Sequence, residues 1–144
     1  MIRKWGIARR LTRVEWNLLF RAWGLLLLVD VGLRMRFPLR MRISAEALRT
    51  SNSSSDPAPI QRVSRMVNMA SRHHLYPMTC LRRALVLQRL LVQCGVSTRM
   101  QIGVNKEAER LGAHAWVEYD GRPINESPAV AGRYAPLAGL GGKR

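Results

Sequence analysis

Cysteine, histidine and acid are all scarce in this chain of 144 residues. There are two cysteines, Cys80 and Cys94, three histidines, and nine acids against 24 lysines and arginines, a net charge of +15. Only Lys4, Lys106 and Lys143 are lysines, so the positive charge is almost all arginine. Such a surface suits nucleic acid, an anionic membrane or an acidic peptide, and charge alone does not choose among them. Nucleic acid is not expected, because the interleaved aromatic and basic pattern of RNA-binding sheets is missing. His73, His74 and His114 have no spacing that makes a zinc ligand set with the cysteines. No metal and no cofactor is therefore expected. A continuous helix between Cys80 and Cys94 would hold them roughly 21 Å apart, at about 1.5 Å per residue. A disulfide needs Cα atoms within about 7 Å, so the two should stay reduced, as in a cytosolic protein. No run reaches the roughly 18 uninterrupted apolar residues of a membrane span. Arg21 and Asp30 interrupt the longest apolar stretch, and no small-residue cleavage site follows Leu33, which argues against a secretory signal. No internal repeat is visible.

The length fits one domain, or one small domain with an extension. Residues 1–48 form a basic and apolar arm, opened by Arg3, Lys4, Arg9, Arg10 and Arg13. One or two helices are expected over about Arg9 to Leu33, packed on the domain. The same arm offers Trp5, Trp16, Trp23 and Leu25 to Val29, with arginines beside them, to a partner or to the inner face of a membrane. Residues 49–59, with Thr-Ser-Asn-Ser-Ser-Ser-Asp-Pro-Ala-Pro, read as a linker. Residues 60–137 hold the remaining order, and residues 138–144 read as a flexible, glycine-rich tail.

Within 60–137, Ile60, Val63, Met66, Val67 and Ala70 recur at helical spacing. Pro77 ends that helix, since the residue before a proline avoids the α region. A second helix runs from Thr79 to Gln93, with Thr79 as N-cap and Gly95 as the stop. Its band of Leu81, Ala84, Leu85, Gln88, Leu91 and Val92, widened by Val86, Leu87 and Leu90, implies burial on more than one side. Strands are expected at Val96 to Val104, Ala113 to Tyr119 and Arg122 to Glu126, with a polar loop at Asn105 to Gly112. From Ala129 the chain is expected to fray. The fold class is α+β: N-terminal helices, then a cysteine at a helix start packed on a small antiparallel sheet.

That cysteine is the centre of the chemistry. Cys80 sits at about the first helical residue, where free N–H groups and the helix dipole stabilise a thiolate and can serve an oxyanion. Arg82 and Arg83 add positive charge. His114 on a strand would accept the thiol proton and return it to the leaving amine. An acid on the next strand would orient the imidazole. The hairpin count selects the acid. A two-residue loop, Asp120-Gly121, puts Glu126 opposite Ala115 and away from His114. A three-residue loop, Tyr119-Asp120-Gly121 with Gly121 left-handed, puts Glu126 opposite His114 on one face. The three-residue loop therefore assembles Cys80, His114 and Glu126. Asp120 lies some 20 Å along the strand from His114, at about 3.4 Å per residue. Taken singly, each part has a bland reading: a helix cysteine is usually core packing, as is Cys94, and His73-His74 reads as a solvated helix end. The order Cys-helix, strand, His-strand, acid-strand is far more specific than any one part.

At these residues the chain resembles the transglutaminase-like cysteine peptidases, and among them the leader peptidases of lasso-peptide biosynthesis in their stand-alone form. The resemblance rests on Cys80-Leu81-Arg82-Arg83-Ala84, Leu90-Leu91 before Gly95, His114-Ala115-Trp116-Val117-Glu118, Asp120-Gly121 and Asn125-Glu126, and covers about Ser64 to Leu137. It implies a papain-like hydrolase that cuts the leader from a ribosomally made precursor peptide. Cys80 would be nucleophile, His114 base and Glu126 orienting acid, although the acid is commonly Asp in that family. It implies two partners, a separate leader-binding protein and an asparagine-synthetase-like cyclase. The rival expectations are a transglutaminase-like acyltransferase or amidase, and a non-enzymatic basic module that binds membrane or nucleic acid.

Overall fold

The computed structural model describes residues 11–35, 58–75, 77–107 and 110–137. Most of the expected linker at 49–59, the basic stretches at 1–10 and 36–50, and the expected tail at 138–144 lie outside the described residues.

Helix α1 (Arg13–Arg34) is a single helix opened by a capping box. The Thr12 hydroxyl accepts from the Glu15 backbone N–H (3.3 Å), and Glu15 Oε2 accepts from the Thr12 backbone N–H (2.9 Å). Two orphan donors of the helix start are satisfied reciprocally. By length and composition α1 could cross a membrane, with a mean hydropathy of 1.4 over its most apolar window. The requirement for an uninterrupted apolar run thus understated it. Here it packs on the domain instead: Ala22, Leu26, Val29 and Asp30 are buried. Phe20, Leu28, Val31 and Met35 remain exposed along its length.

Helix α2 (Ala58–Arg72) buries Ile60, Val63, Ser64, Met66, Val67 and Ala70, the stripe its spacing requires. Ala58 and Pro59, read as linker, open this helix. A proline is tolerated in a first turn because its missing N–H has no intrahelical partner there. Helix α3 (Cys80–Gln93) buries Ala84, Val86, Leu87, Gln88, Leu90 and Leu91. Gly95, at φ 77, takes the left-handed position just after it. The helices lock together by polar contacts as well as by burial. Arg65 on α2 pairs with Glu15. Arg21 donates to Gln93 (2.9 Å) at one end of α3, and Arg82 pairs with the buried Asp30 (2.9 Å) at the other. These contacts make α1 antiparallel to α3.

The sheet has the order β3-β2-β1-β4. Strands β1 (Arg99–Glu107) and β2 (Arg110–Tyr119) pair antiparallel along their whole length, from Arg99↔Glu118 to Glu107↔Arg110. The polar loop expected at Asn105 to Gly112 is therefore mostly hairpin. Apolar alternation stops there, with Leu111 exposed, but backbone pairing continues. Strand β3 (Arg122–Pro123) is shorter than the expected Arg122 to Glu126. A short helical turn, α4 (Val130–Arg133), leads into β4 (Ala135–Pro136), which pairs with β1 at Gly103↔Pro136 and Val104↔Ala135. The chain after Ala129 is thus built into the sheet as far as Leu137, whose N–H donates to Ile102 O (2.9 Å).

Period two along β2 divides the molecule. Ala115 and Val117 join the core of α1, α2 and α3, with Met100 and Ile102 of β1 packed against it. His114, Trp116 and Glu118 point to the other face. There Trp116 is 1 % exposed, and its indole N–H donates to Glu118 Oε1 (2.8 Å). A buried indole requires such a partner. Gly103 lies opposite His114, and a Cβ there would come within 2.7 Å of Tyr134 Cβ and 2.9 Å of the Trp116 ring. A side chain at position 103 would displace the aromatic cluster.

Candidate active site

Cys80 is the first residue of α3, half-buried against the core. Thr79 has the extended backbone of an N-cap, but its side chain makes no capping hydrogen bond. The first amides of α3 are therefore not consumed by that hydroxyl, as an oxyanion site requires. Both cysteines are free, and Cys94 is exposed at the far end of the helix.

The charges beside Cys80 are more balanced than the sequence suggested. Arg82 reaches Asp30, which also pairs with Arg34 (3.0 Å). Arg83 reaches Glu126 (3.6 Å). Each arginine near the start of α3 thus has a carboxylate against it. Two cations at a helix N-terminus oppose the dipole, and the carboxylates offset that cost.

Glu126 also faces the imidazole: its Oε1 lies 3.3 Å from His114 Nε2. The expected neighbours are neighbours, but not for the expected reason. The loop is the two-residue one. Tyr119 faces Arg122 and Glu118 faces Pro123, with Asp120 at φ 49 and Gly121 at φ 74. Positive φ at both central residues is the turn that suits the twist of a hairpin. A regular strand in that register would carry Glu126 to the wrong face. The ladder breaks first. Ile124 N–H still donates to Val117 O (3.0 Å). The Ile124 carbonyl turns to accept from the Ser64 hydroxyl of α2 (3.3 Å), and Asn125 Oδ1 replaces it as acceptor for Val117 N–H (2.8 Å). The chain bends through 124–126, and Glu126 comes back to His114. Asn125 therefore holds the bend by taking over a ladder bond.

His114 is further held by rings. Tyr134 stacks on it with centroids 5.1 Å apart, and Trp116 lies 6.3 Å away. Tyr134 was not expected from the sequence, because the segment carrying it reads as a fraying tail. With Nε2 facing the carboxylate, Nδ1 is the nitrogen left to take a proton. Arg83, expected only as positive charge beside Cys80, also reaches Glu126. It stands three residues after Cys80 on the same helix face, and so ties the cysteine's turn of α3 to the His114–Glu126 pair.

Asp120 is at the exposed turn, as its position along the strand requires. His73 is exposed, but His74 is not a solvated end: it packs on Trp23 (5.0 Å), with both ring nitrogens buried. Among the described residues no cluster of His, Cys, Asp and Glu could hold a metal ion.

A helix opened by cysteine, an imidazole on the sheet and a carboxylate against that imidazole are the parts of a papain-like hydrolytic site. The chain belongs to the Transglutaminase-like superfamily, whose family model matches residues 24–139. No curated protein and no solved structure matches it. The superfamily indicates cysteine-peptidase or acyltransferase chemistry, on an α+β scaffold of this kind.

Proposed function

We propose that the protein is a cysteine peptidase that removes the leader from a ribosomally made lasso-peptide precursor. The observation that carries this reading is the His114–Glu126 contact of 3.3 Å, tied through Arg83 to the turn of α3 that begins with Cys80. The Cys80 thiol passes its proton to His114 Nδ1, and the sulfur adds to the scissile carbonyl carbon. The resulting oxyanion lies against the first amides of α3. The tetrahedral intermediate collapses, the C–N bond breaks, and His114 protonates the leaving amine. Water, deprotonated by His114, then attacks the thioester, and Cys80 leaves as the thiol with the proton that imidazole held. Glu126 fixes the tautomer and stabilises the imidazolium in both halves.

Lasso maturation as the setting rests on the motif around Cys80, His114 and Asn125-Glu126. A separate leader-binding protein presents the precursor, and an asparagine-synthetase-like cyclase consumes the trimmed peptide. The test is to mix purified protein and precursor with and without the leader-binding protein and follow release of the leader by mass spectrometry. Cleavage that is slow alone and fast with the partner is expected. Transfer of the acyl group to an added amine, with no hydrolysis, would instead make the protein an acyltransferase.

A further inference from the structure

A cavity of about 1390 Å³ opens between α2 and the β2–β3 hairpin. It exceeds the roughly 300–1,000 Å³ of ordinary small-molecule sites. Its apolar wall includes Ile60, Met69 and Ile124, and its charged rim includes Arg72 and Arg122. Arg65 also lines it but is already paired with Glu15, and Asp120 is the single acid of the lining. Arg72 and Arg122 are exposed and have no carboxylate partner among the described residues. Ile124, which lines the groove, lies two residues before Glu126 in the chain.

We propose that this groove binds an acidic stretch of the peptide substrate, with its carboxylates on Arg72 and Arg122 and its apolar side chains on Ile60, Met69 and Ile124. Naming the occupant as substrate rests on the peptidase reading; the groove's chemistry does not. Added-strand pairing is closed to such a peptide. Pro123 has no N–H, and both backbone groups of Ile124 are engaged, with Val117 and with Ser64. Recognition falls to side chains, and a planar guanidinium takes a carboxylate in two parallel hydrogen bonds. The aliphatic wall favours peptide over single-stranded nucleic acid, which is held by runs of stacked aromatics, whereas the lining offers only the Tyr119 ring and the His73 imidazole.

Binding is measured on the Cys80→Ala protein, so that no turnover enters the readout. The probe is a fluorescein-labelled peptide in which Asp and Glu alternate with Leu, against the same peptide with Asn and Gln in place of the acids. Fluorescence anisotropy should show the acidic peptide binding about tenfold tighter or more, as charge-assisted hydrogen bonds require. Arg72→Glu with Arg122→Glu should cost about tenfold or more, and Arg72→Gln with Arg122→Gln should also weaken binding. The control pair Arg89→Glu with Arg133→Glu makes the same charge change outside the groove and should shift affinity less than about twofold. Equal loss from the control pair would reduce the effect to the general basic field and overturn the proposal. So would equal binding of the neutral peptide, or tighter binding of a single-stranded oligonucleotide of matched charge. Acidic-peptide binding through the groove by a protein whose wild type never cleaves would sink the peptidase reading alone. Precursor cleavage indifferent to the groove variants would sink the groove alone.

Discussion

At the start of α3, Cys80 is half-buried in the core, and the two arginines that follow it are each met by a carboxylate from elsewhere in the chain. At the end of α3, Cys94 is exposed, its neighbour Gln93 makes one exposed hydrogen bond to Arg21, and Gly95 lets the chain turn away. One residue type on one helix thus occupies two unlike settings. The first end gathers α1 through Asp30 and the 124–126 bend through Glu126, which in turn faces His114 of β2. The second is a helix stop. Several elements converge on the turn of α3 that Cys80 opens, and none of the same kind on the turn that Cys94 closes.

The largest way to break the contrast is to remove the base. His114→Ala should lower the rate of precursor cleavage by about 10²–10⁴-fold without unfolding, the range expected for a positioned acid–base group. Initial rates by mass spectrometry, with circular dichroism as the folding control, check it. Next comes the clamp. Asp30→Ala leaves Arg82 partly buried and unpaired, and should cost about 3–5 kcal/mol. Gln93→Ala at the other end should stay within about 0.5 kcal/mol. Urea unfolding of the two variants reads the difference directly, and similar losses would erase the contrast between the ends. Asn125→Ala should cost about 1–3 kcal/mol, since Val117 N–H loses its acceptor. It should lower cleavage as well, because the bend that delivers Glu126 is released; loss of stability at full cleavage rate would separate the bend from the site.

The smallest effect depends on pH. The backbone N–H of Thr12 holds the Glu15 carboxyl below its usual range, with help from the Thr12 hydroxyl and from Arg65 and Arg62, although burial pushes the other way. A lowered folded-state pKa makes this contribution complete above the ordinary glutamate value of about 4.3, and it is lost as pH falls through the folded value. The gap in melting temperature between wild type and Glu15→Gln should therefore be constant near neutral pH and shrink in acid.

Helices α2 and α3 were legible in the sequence because their apolar spacing, and the Gly95 stop of α3, act locally. The pairing of His114 with Glu126 was legible only in its outcome. A count of loop residues assumes that the strand stays regular, whereas here the Ile124 carbonyl leaves for Ser64, sixty residues earlier, and a side chain fills its place. Nothing local announces that exchange. Tyr134 was missed for a related reason. Glycines made its segment read as loose, and what orders it is an edge of β1 and the room left by Gly103. Asp30 read as a defect in an apolar run, and its meaning needed Arg82 from another helix.

The central claim is that Cys80 alone is the nucleophile. Its most direct test is cleavage of the precursor, with the leader-binding protein present, by Cys80→Ala and Cys94→Ala side by side with wild type. The account predicts no leader release from Cys80→Ala and a near wild-type rate from Cys94→Ala. Equal loss from both changes, or persistent cleavage by Cys80→Ala, would contradict it.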